Sequence, residues 1–364
     1  MAEPATVSAR EERILGIIET ARGKRPKFRD ERITMAHGAG GKATQSLIEG
    51  LFLPALGDGA LAELADAGAI SIDGVELAMT TDCYVVRPLR FPGGSIGDLA
   101  VNGTVNDLAV SGARPLALSL SLVLEEGLAA DELRSEVEAI SAAAKAAGVE
   151  VITGDTKVVE RGHADGMYVC TTGVGRRDRR ARLSPAGIRP GDRILLSGSI
   201  GEHGMAIMLA RGEFDLDASI ESDTASLWPA VDVLLDAGGE GVHCLRDATR
   251  GGVASVLNEL ARASSVAMLV REGAIPVQPA VAGAAEILGI DPMYVANEGK
   301  LVAFVAADRA DEVLEALRGA PGCEQASEIG EVRTEPPGMV LVETSFGGRR
   351  VMDQLVGDPL PRIC

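Results

Sequence analysis

Alternation of apolar and polar positions predicts strands over Val75–Thr81 and over Leu116–Leu124, where leucines alternate with Ala117, Ser119, Ser121 and Val123. A helix is expected over Asp131–Gly148: Asp131 as its cap, Leu133, Val137, Ile140 and Ala144 as its apolar stripe, and Gly148 as its stop. Val149–Thr153 and Met167–Gly173 read as further strands. In the second half, Arg193–Ser197 and Gly241–Leu245 read as strands, Gly204–Ala210 and Val253–Ala263 as helices, and Asp247–Gly252 as the loop between the second strand and its helix. Lys300–Ala306 and a pair of strands around Glu331–Glu343, separated by Pro336-Pro337-Gly338, complete the series. Strands and helices interleave, yet hairpin-like pairs also occur, so the pattern predicts an α+β fold.

These segments divide the chain. Residues 1–32 are polar, with one short helical pattern over Glu11–Thr20, and read as an extension outside the fold. Residues 33–178 and 179–345 read as two domains, joined across the basic run Arg176–Arg182, which is expected to be a solvated linker. Residues 346–364, with Gly347-Gly348, Gly357 and two prolines, carry little apolar periodicity and are expected to form a flexible tail.

Composition narrows the function. The chain has 364 residues, 46% of them hydrophobic, which is enough for two cores, and only one Trp, three Tyr and six Phe, so aliphatic side chains do the packing. Its 35 Lys+Arg against 53 Asp+Glu give a net charge of −18. That balance argues against a nucleic-acid partner, whose phosphates need clustered cations, but leaves a nucleotide open. The five cysteines are dispersed without a Cys-x-x-Cys, and no apolar run approaches the ~18 residues of a membrane span, so a reduced, cytoplasmic protein is expected. Cys364 stands apart, since a structural cysteine normally sits in a core rather than at a chain end.

Several residue groups suggest chemistry. His37-Gly38-Ala39-Gly40-Gly41-Lys42 is a glycine-rich loop before a helix, able to offer backbone N–H groups and a lysine to a phosphate, though it lacks the Walker spacing. Asp66, Asp82, Asp107, Asp155 and Asp247 sit at strand ends or in glycine-containing loops. Singly each fits a turn or a cap; as a set, hard carboxylate oxygens suit Mg²⁺ bridged to phosphates. Lys157, after Gly154-Asp155-Thr156, and Glu298, within Ala296-Asn297-Glu298-Gly299-Lys300, are a lysine and a carboxylate at strand-end turns, the groups that phosphoryl transfer and proton abstraction need.

Thr80-Thr81-Asp82, Phe91-Pro92-Gly93-Gly94, Ile96-Gly97 and Asn106-Asp107 resemble the ATP-binding half of the PurM superfamily, and the finer likeness is to the HypE family of hydrogenase maturation factors. That finer likeness rests on the His37–Lys42 loop, Asn106–Gly112, Glu125-Glu126-Gly127, Thr153–Val159, Leu245–Val253, Ala296–Lys300 and the final Pro361-Arg362-Ile363-Cys364, in order from about residue 33 to the end. The resemblance implies a PurM-like two-domain architecture and a homodimer in which the first domains pair into a shared barrel. It implies ATP-dependent dehydration of a carbamoyl group, carried as a thiocarboxamide on Cys364, to a thiocyanate that supplies cyanide for the iron of [NiFe] hydrogenase. By the same likeness Glu298 moves the protons, Lys157 stabilises developing charge, and Asp82, Asp107, Asp247 and Asp66 hold Mg²⁺. Gly38, Gly40, Gly41, Lys42, Asn102 and Asp155 are then expected at ATP. A HypF-like carbamoyltransferase and HypC- and HypD-like iron-scaffold proteins are the implied partners. Two other readings fit these residues: a PurM-type ATP-dependent enzyme acting on a small diffusible substrate, and a non-catalytic scaffold for metallocentre assembly.

Overall fold

A computed structural model describes residues 28–57, 65–212, 219–355 and 362–364. The helical pattern at Glu11–Thr20 lies outside the described residues. After a short helical turn over Met35–Gly38 and helix α1 (Lys42–Leu47), the first domain is built on five strands: β1 (Gly68–Ile72), β2 (Val75–Tyr84), β5 (Ala113–Glu125), β6 (Glu150–Val159) and β7 (Met167–Arg177). Their order is β1-β2-β7-β5-β6, antiparallel except for the parallel β5–β6 pair. Two short strands, β3 (Arg90–Phe91) and β4 (Gly94–Ser95), form a separate hairpin.

One face of the five-stranded sheet is covered by α2 (Ile96–Val110), with α3 (Ala130–Ala147) packed against α2. Asn102–Asp107, expected as a glycine-containing loop, is the middle of α2. That helix is buried almost all round, wedged between β2, β7 and β5 on one side and the second domain on the other, so it shows no amphipathic period to read. Gly103 lowers its helical propensity, but a Cβ there would stand 2.2 Å from the Tyr84 hydroxyl, so only glycine fits.

The predicted helix α3 is present and ends on left-handed Gly148. Its cap is Ala129, however, and Asp131 lies within the first turn, where a negative charge suits the helix dipole. Its buried stripe also differs: Val137 is 45% exposed, whereas Glu136 is buried, accepting the Gly97 N–H at 3.1 Å and pairing with Arg90 Nε at 2.8 Å. A carboxylate so partnered can replace an apolar side chain inside.

Among the described residues, no helix or sheet covers the other face of the sheet. Ile70, Ile72, Val75 and Met79, which share it by register, stand 46 to 53% exposed. Asp155 and Lys157 on edge strand β6 lie on the same face, paired with Ser121 and Val123 of β5.

The second domain is a seven-stranded sheet, order β14-β13-β10-β12-β8-β11-β9, made of β8 (Arg193–Leu196), β9 (Val242–Asp247), β10 (Ala267–Arg271), β11 (Leu301–Val305), β12 (Ser327–Arg333), β13 (Val340–Glu343) and β14 (Arg349–Met352). Strand alternation splits its core. Leu195, Leu245, Leu301, Ala303 and Val305 meet α5 (Trp228–Gly238) and α8 (Ala310–Arg318), while Ile194, Leu196, Val302 and Phe304 meet α6 (Gly252–Ala263). Helices α4 (Glu202–Ala210) and α7 (Pro279–Leu288) join the core that also includes Phe91, Ile96 and Leu99 of the first domain.

Three expectations change here. The strands around Glu331–Glu343 do not pair with each other; β12 and β13 flank β10, because β13 runs parallel to β10. The sheet also continues past residue 345, since Arg349–Met352 pairs with β13, so the tail expected from residue 346 begins later. Within the basic run, Arg176 and Arg177 finish β7, and Arg180 is held by Asp178, Asp232 and Asp236 rather than left to solvent.

Candidate active site

Both domains contribute to one cavity. Thr80, Asp82 and Tyr84 share the helix-facing side of β2 by the two-residue period, and α2 places Asp107 beside them: Thr80 Oγ1 donates to Asp107 Oδ2 at 2.8 Å, and Tyr84 Oη donates to Asp82 Oδ2 at 3.3 Å. From the second domain, β9 ends at Asp247, and Arg250 follows in the turn before α6. Asp66, just ahead of β1, is ion-paired with Arg246. Glu298 is on the loop before β11. That loop is pinned by Asp223, whose carboxylate accepts the Glu298 N–H at 3.0 Å and pairs with Lys300 at 3.1 Å. Asn106 of α2 ties the same loop to the first domain, donating to the Glu298 carbonyl at 3.1 Å and to that of Ala225 at 2.9 Å.

Asp66, Asp82, Asp107, Asp247, Glu298 and Cys364 all line this cavity. Carboxylate oxygens of Asp66, Asp107 and Asp247 lie within 4.8 Å of one another. Burial pushes the Asp107 carboxyl well above its usual range, and the charges of Asp247, Asp82 and Asp66 push it further. Burial, then the charge of Asp66, raises Asp247 to about 8. Asp66 and Asp82 are raised by burial, against the lowering effect of Arg246 and Arg250 respectively. Glu298 is held well above the ordinary range by burial and by Asp223, Asp247 and Asp82. Buried carboxylates this close repel one another, and a hard divalent cation is the partner that satisfies such an all-oxygen set, so the residues fit Mg²⁺.

Cys364 is buried, its main-chain oxygen accepting the Val85 N–H at 3.1 Å. The glycine-rich loop lies against the same region. Gly38 and Ala39 line a second cavity together with Arg250 and Cys364, and the Gly38 carbonyl accepts from Arg250 at 2.9 Å. Gly40 has φ +75°, and a Cβ there would meet the Arg250 carbonyl oxygen at 2.9 Å, so the loop packs down only as glycine. Lys42 does not point into the cavity; its Nζ pairs with Asp353 at 2.8 Å. Asn102 donates to Thr224 at 3.3 Å across the domain boundary. Asp155 and Lys157 are exposed and ion-paired with each other, and neither lines the cavity within one chain.

The sequence reading missed Tyr84 and Arg250. Tyr84 was signalled by its place two residues after Asp82 on the same strand face, and Arg250 by its place in the turn between Asp247 and the glycines opening α6. No helix among the described residues is long and apolar enough to cross a membrane.

Comparison with known proteins matches residues 64–177 to the N-terminal domain and residues 189–342 to the C-terminal domain of the AIR synthase related protein family. A curated relative from Bradyrhizobium diazoefficiens, carbamoyl dehydratase HypE, is 49% identical over 337 residues, covering 93% of this chain and 97% of its own. Among solved structures, a HypE–HypF complex superposes with a TM-score of 0.81 at 41% identity, covering 85% of this chain and all of that one. A HypE structure in complex with ATP gives 0.77 at 44% identity, covering 92% of this chain and all of that one.

Proposed function

The chain belongs to the AIR synthase related family, within its HypE carbamoyl dehydratases, and from that premise we propose that it dehydrates a carbamoyl group carried on the Cys364 thiol, using ATP. The observation that carries this reading is that Cys364 lines the same buried cavity as Glu298 and the acidic cluster. A thiol there brings its own substrate to the proton acceptor.

The chemistry follows from the leaving group. An amide does not expel hydroxide, whereas an amide oxygen that has attacked the γ-phosphorus of ATP leaves as phosphate. The thiocarboxamide oxygen takes the phosphoryl group and releases ADP. One N–H proton departs with each of the two steps, and C–O cleavage leaves S–C≡N and inorganic phosphate. Glu298, whose surroundings make it a stronger base than an ordinary carboxylate, receives one proton at each step and releases the first to solvent before taking the second. Arg250, at the wall shared by both cavities, places positive charge beside Cys364. Asp82, Asp107, Asp247 and Asp66 would hold Mg²⁺, which when bound neutralises phosphate charge. Gly38 and Ala39 of the glycine-rich loop line the cavity assigned to ATP.

Asp155 and Lys157 enter through a homodimer. They share the open sheet face with Ile70, Ile72 and Met79, and pairing that face with a second copy buries apolar surface while bringing these charges to the interface, where Lys157 meets phosphate. A HypF-like carbamoyltransferase loads the thiol, and HypC- and HypD-like scaffold proteins receive the cyanide for hydrogenase iron.

The test is the mass of the Cys364-containing peptide after incubation with a carbamoyl donor system and then ATP. A carbamoyl adduct that loses one water on ATP addition supports the reading; an unmodified peptide with ATP turned over regardless refutes it. Cys364→Ala removes the product and leaves ATP binding intact.

A further inference from the structure

Residues 362–364 are held mostly by contacts to their main chain. The Arg362 carbonyl accepts from the Arg87 N–H at 3.4 Å and from Arg211 Nη2 at 2.7 Å, and Arg211 Nε also donates to the Arg87 carbonyl at 3.0 Å. The Ile363 carbonyl lies 2.6 Å from His203 Nε2, and the Cys364 main-chain oxygen accepts from Val85. Side chains add to this: Arg362 pairs with Asp165 and donates to the Val85 carbonyl at 3.4 Å, and Ile363 and Cys364 are buried in the core shared by the two domains.

His203 is the centre of this arrangement. It lies on α4, fully buried, edge-on to the Phe91 ring with centroids 5.6 Å apart. A carbonyl oxygen can only accept, so Nε2 carries the proton, and Nδ1 accepts from the Ser222 hydroxyl at 2.8 Å. The Ser222 N–H in turn donates to the Pro92 carbonyl at 2.8 Å. Burial favours the neutral ring, which this pairing requires. Every polar atom of the imidazole is therefore committed to holding Ile363, one residue from the reactive thiol.

We propose that Val85, Arg87, His203 and Arg211 form a docking site for the Arg362-Ile363-Cys364 segment, with His203 the positioning residue that sets the Cys364 thiol in the cavity. The proposal rests on the carrier reading above and adds what makes the carrier stop there. Because the latch grips main-chain oxygens, it takes no account of what the sulfur bears: thiol, thiocarboxamide and thiocyanate dock alike. Exit of the tail then requires breaking the His203, Arg211 and Asp165 contacts together.

The test measures alkylation of Cys364 by iodoacetamide in the full-length protein, followed on the peptide that contains it, with no carbamoyl donor and no ATP. Wild type is protected by docking. His203→Ala is expected to speed alkylation about tenfold or more, the shift produced by removing the donor to a buried carbonyl. It should slow single-turnover dehydration in proportion, with ATP affinity unchanged. His203→Gln, which retains an N–H donor, should restore much of both. Arg211→Gln, altered at the end of α4 away from the buried core, keeps the test open if His203→Ala fails to fold, and it too should raise the alkylation rate. Wild-type alkylation rates in His203→Ala and Arg211→Gln would overturn the proposal. Failure of the carrier reading is separate: it would show as no adduct on wild-type Cys364 while the protection persisted.

Discussion

Replacing Glu298 by glutamine isolates the proton-transfer role with little change of shape. The side chain is buried beside Asp82, Asp247 and Asp223, with Arg250 as the favourable counter-charge. Glutamine fills the same volume and cannot ionise, in a cluster whose burial and neighbouring carboxylates already disfavour the charged form. The variant should therefore unfold at the same temperature as wild type or somewhat higher, and its ATP affinity should hold. Loss of a positioned general base costs ~10²–10⁴ in rate. The upper half of that range applies, because the environment makes Glu298 a stronger base than usual and it takes a proton in each of the two steps. The expected fall is about 10³-fold, or ~4 kcal/mol in activation free energy. The assay is single-turnover conversion of carbamoylated protein, quenched and read as the mass of the Cys364 peptide. A Glu298→Gln rate within about threefold of wild type would refute the assignment.

Three further predictions follow from the same geometry. Asp247 is raised to about 8, so the folded state holds its proton more tightly than the unfolded chain; its contribution to stability is complete below pH 3.8 and is lost as pH rises through about 8. The metal-free protein should accordingly lose melting temperature from this cluster between pH 6 and 8, and calorimetry should show Mg²⁺ binding more tightly with each step up in pH, because protons are displaced; affinity flat across that range would contradict it. Gly103→Ala drives a methyl into the Tyr84 hydroxyl at 2.2 Å and should cost about 1–3 kcal/mol in chemical denaturation, with Asp82 losing its hydrogen bond; unchanged stability would show that Tyr84 moves aside freely. Met79→Glu places a charge on the open sheet face and should weaken self-association at least tenfold by analytical ultracentrifugation; an unaltered dimer would locate the interface elsewhere.

Much of the fold was written in local periodicity. β2, β5 and β7 and the helix ending at Gly148 alternate or repeat as half-buried elements must. The failures share one cause, which is tertiary burial that erases the pattern. Helix α2 has no polar face because both domains cover it, so Asn106 and Asp107 read as loop. Glu136 displaced Val137 from the buried stripe through partners at Arg90 and Gly97 that lie 46 and 39 residues away in sequence. The pairing of β13 with β10 is equally non-local. The acids were visible one at a time, but their convergence needed the contact between domains. Lys157 and Asp155 mark the opposite case: a motif plain in sequence, placed on the sheet face away from the helices and outside the cavity.

The central claim is that the carbamoyl oxygen leaves as phosphate. Load Cys364 with a carbamoyl group whose oxygen is the heavy isotope, add ATP, and measure the label in the released inorganic phosphate. The account predicts one heavy oxygen in each phosphate formed together with thiocyanate. Unlabelled phosphate, with the heavy oxygen in water or still on the protein, would contradict it.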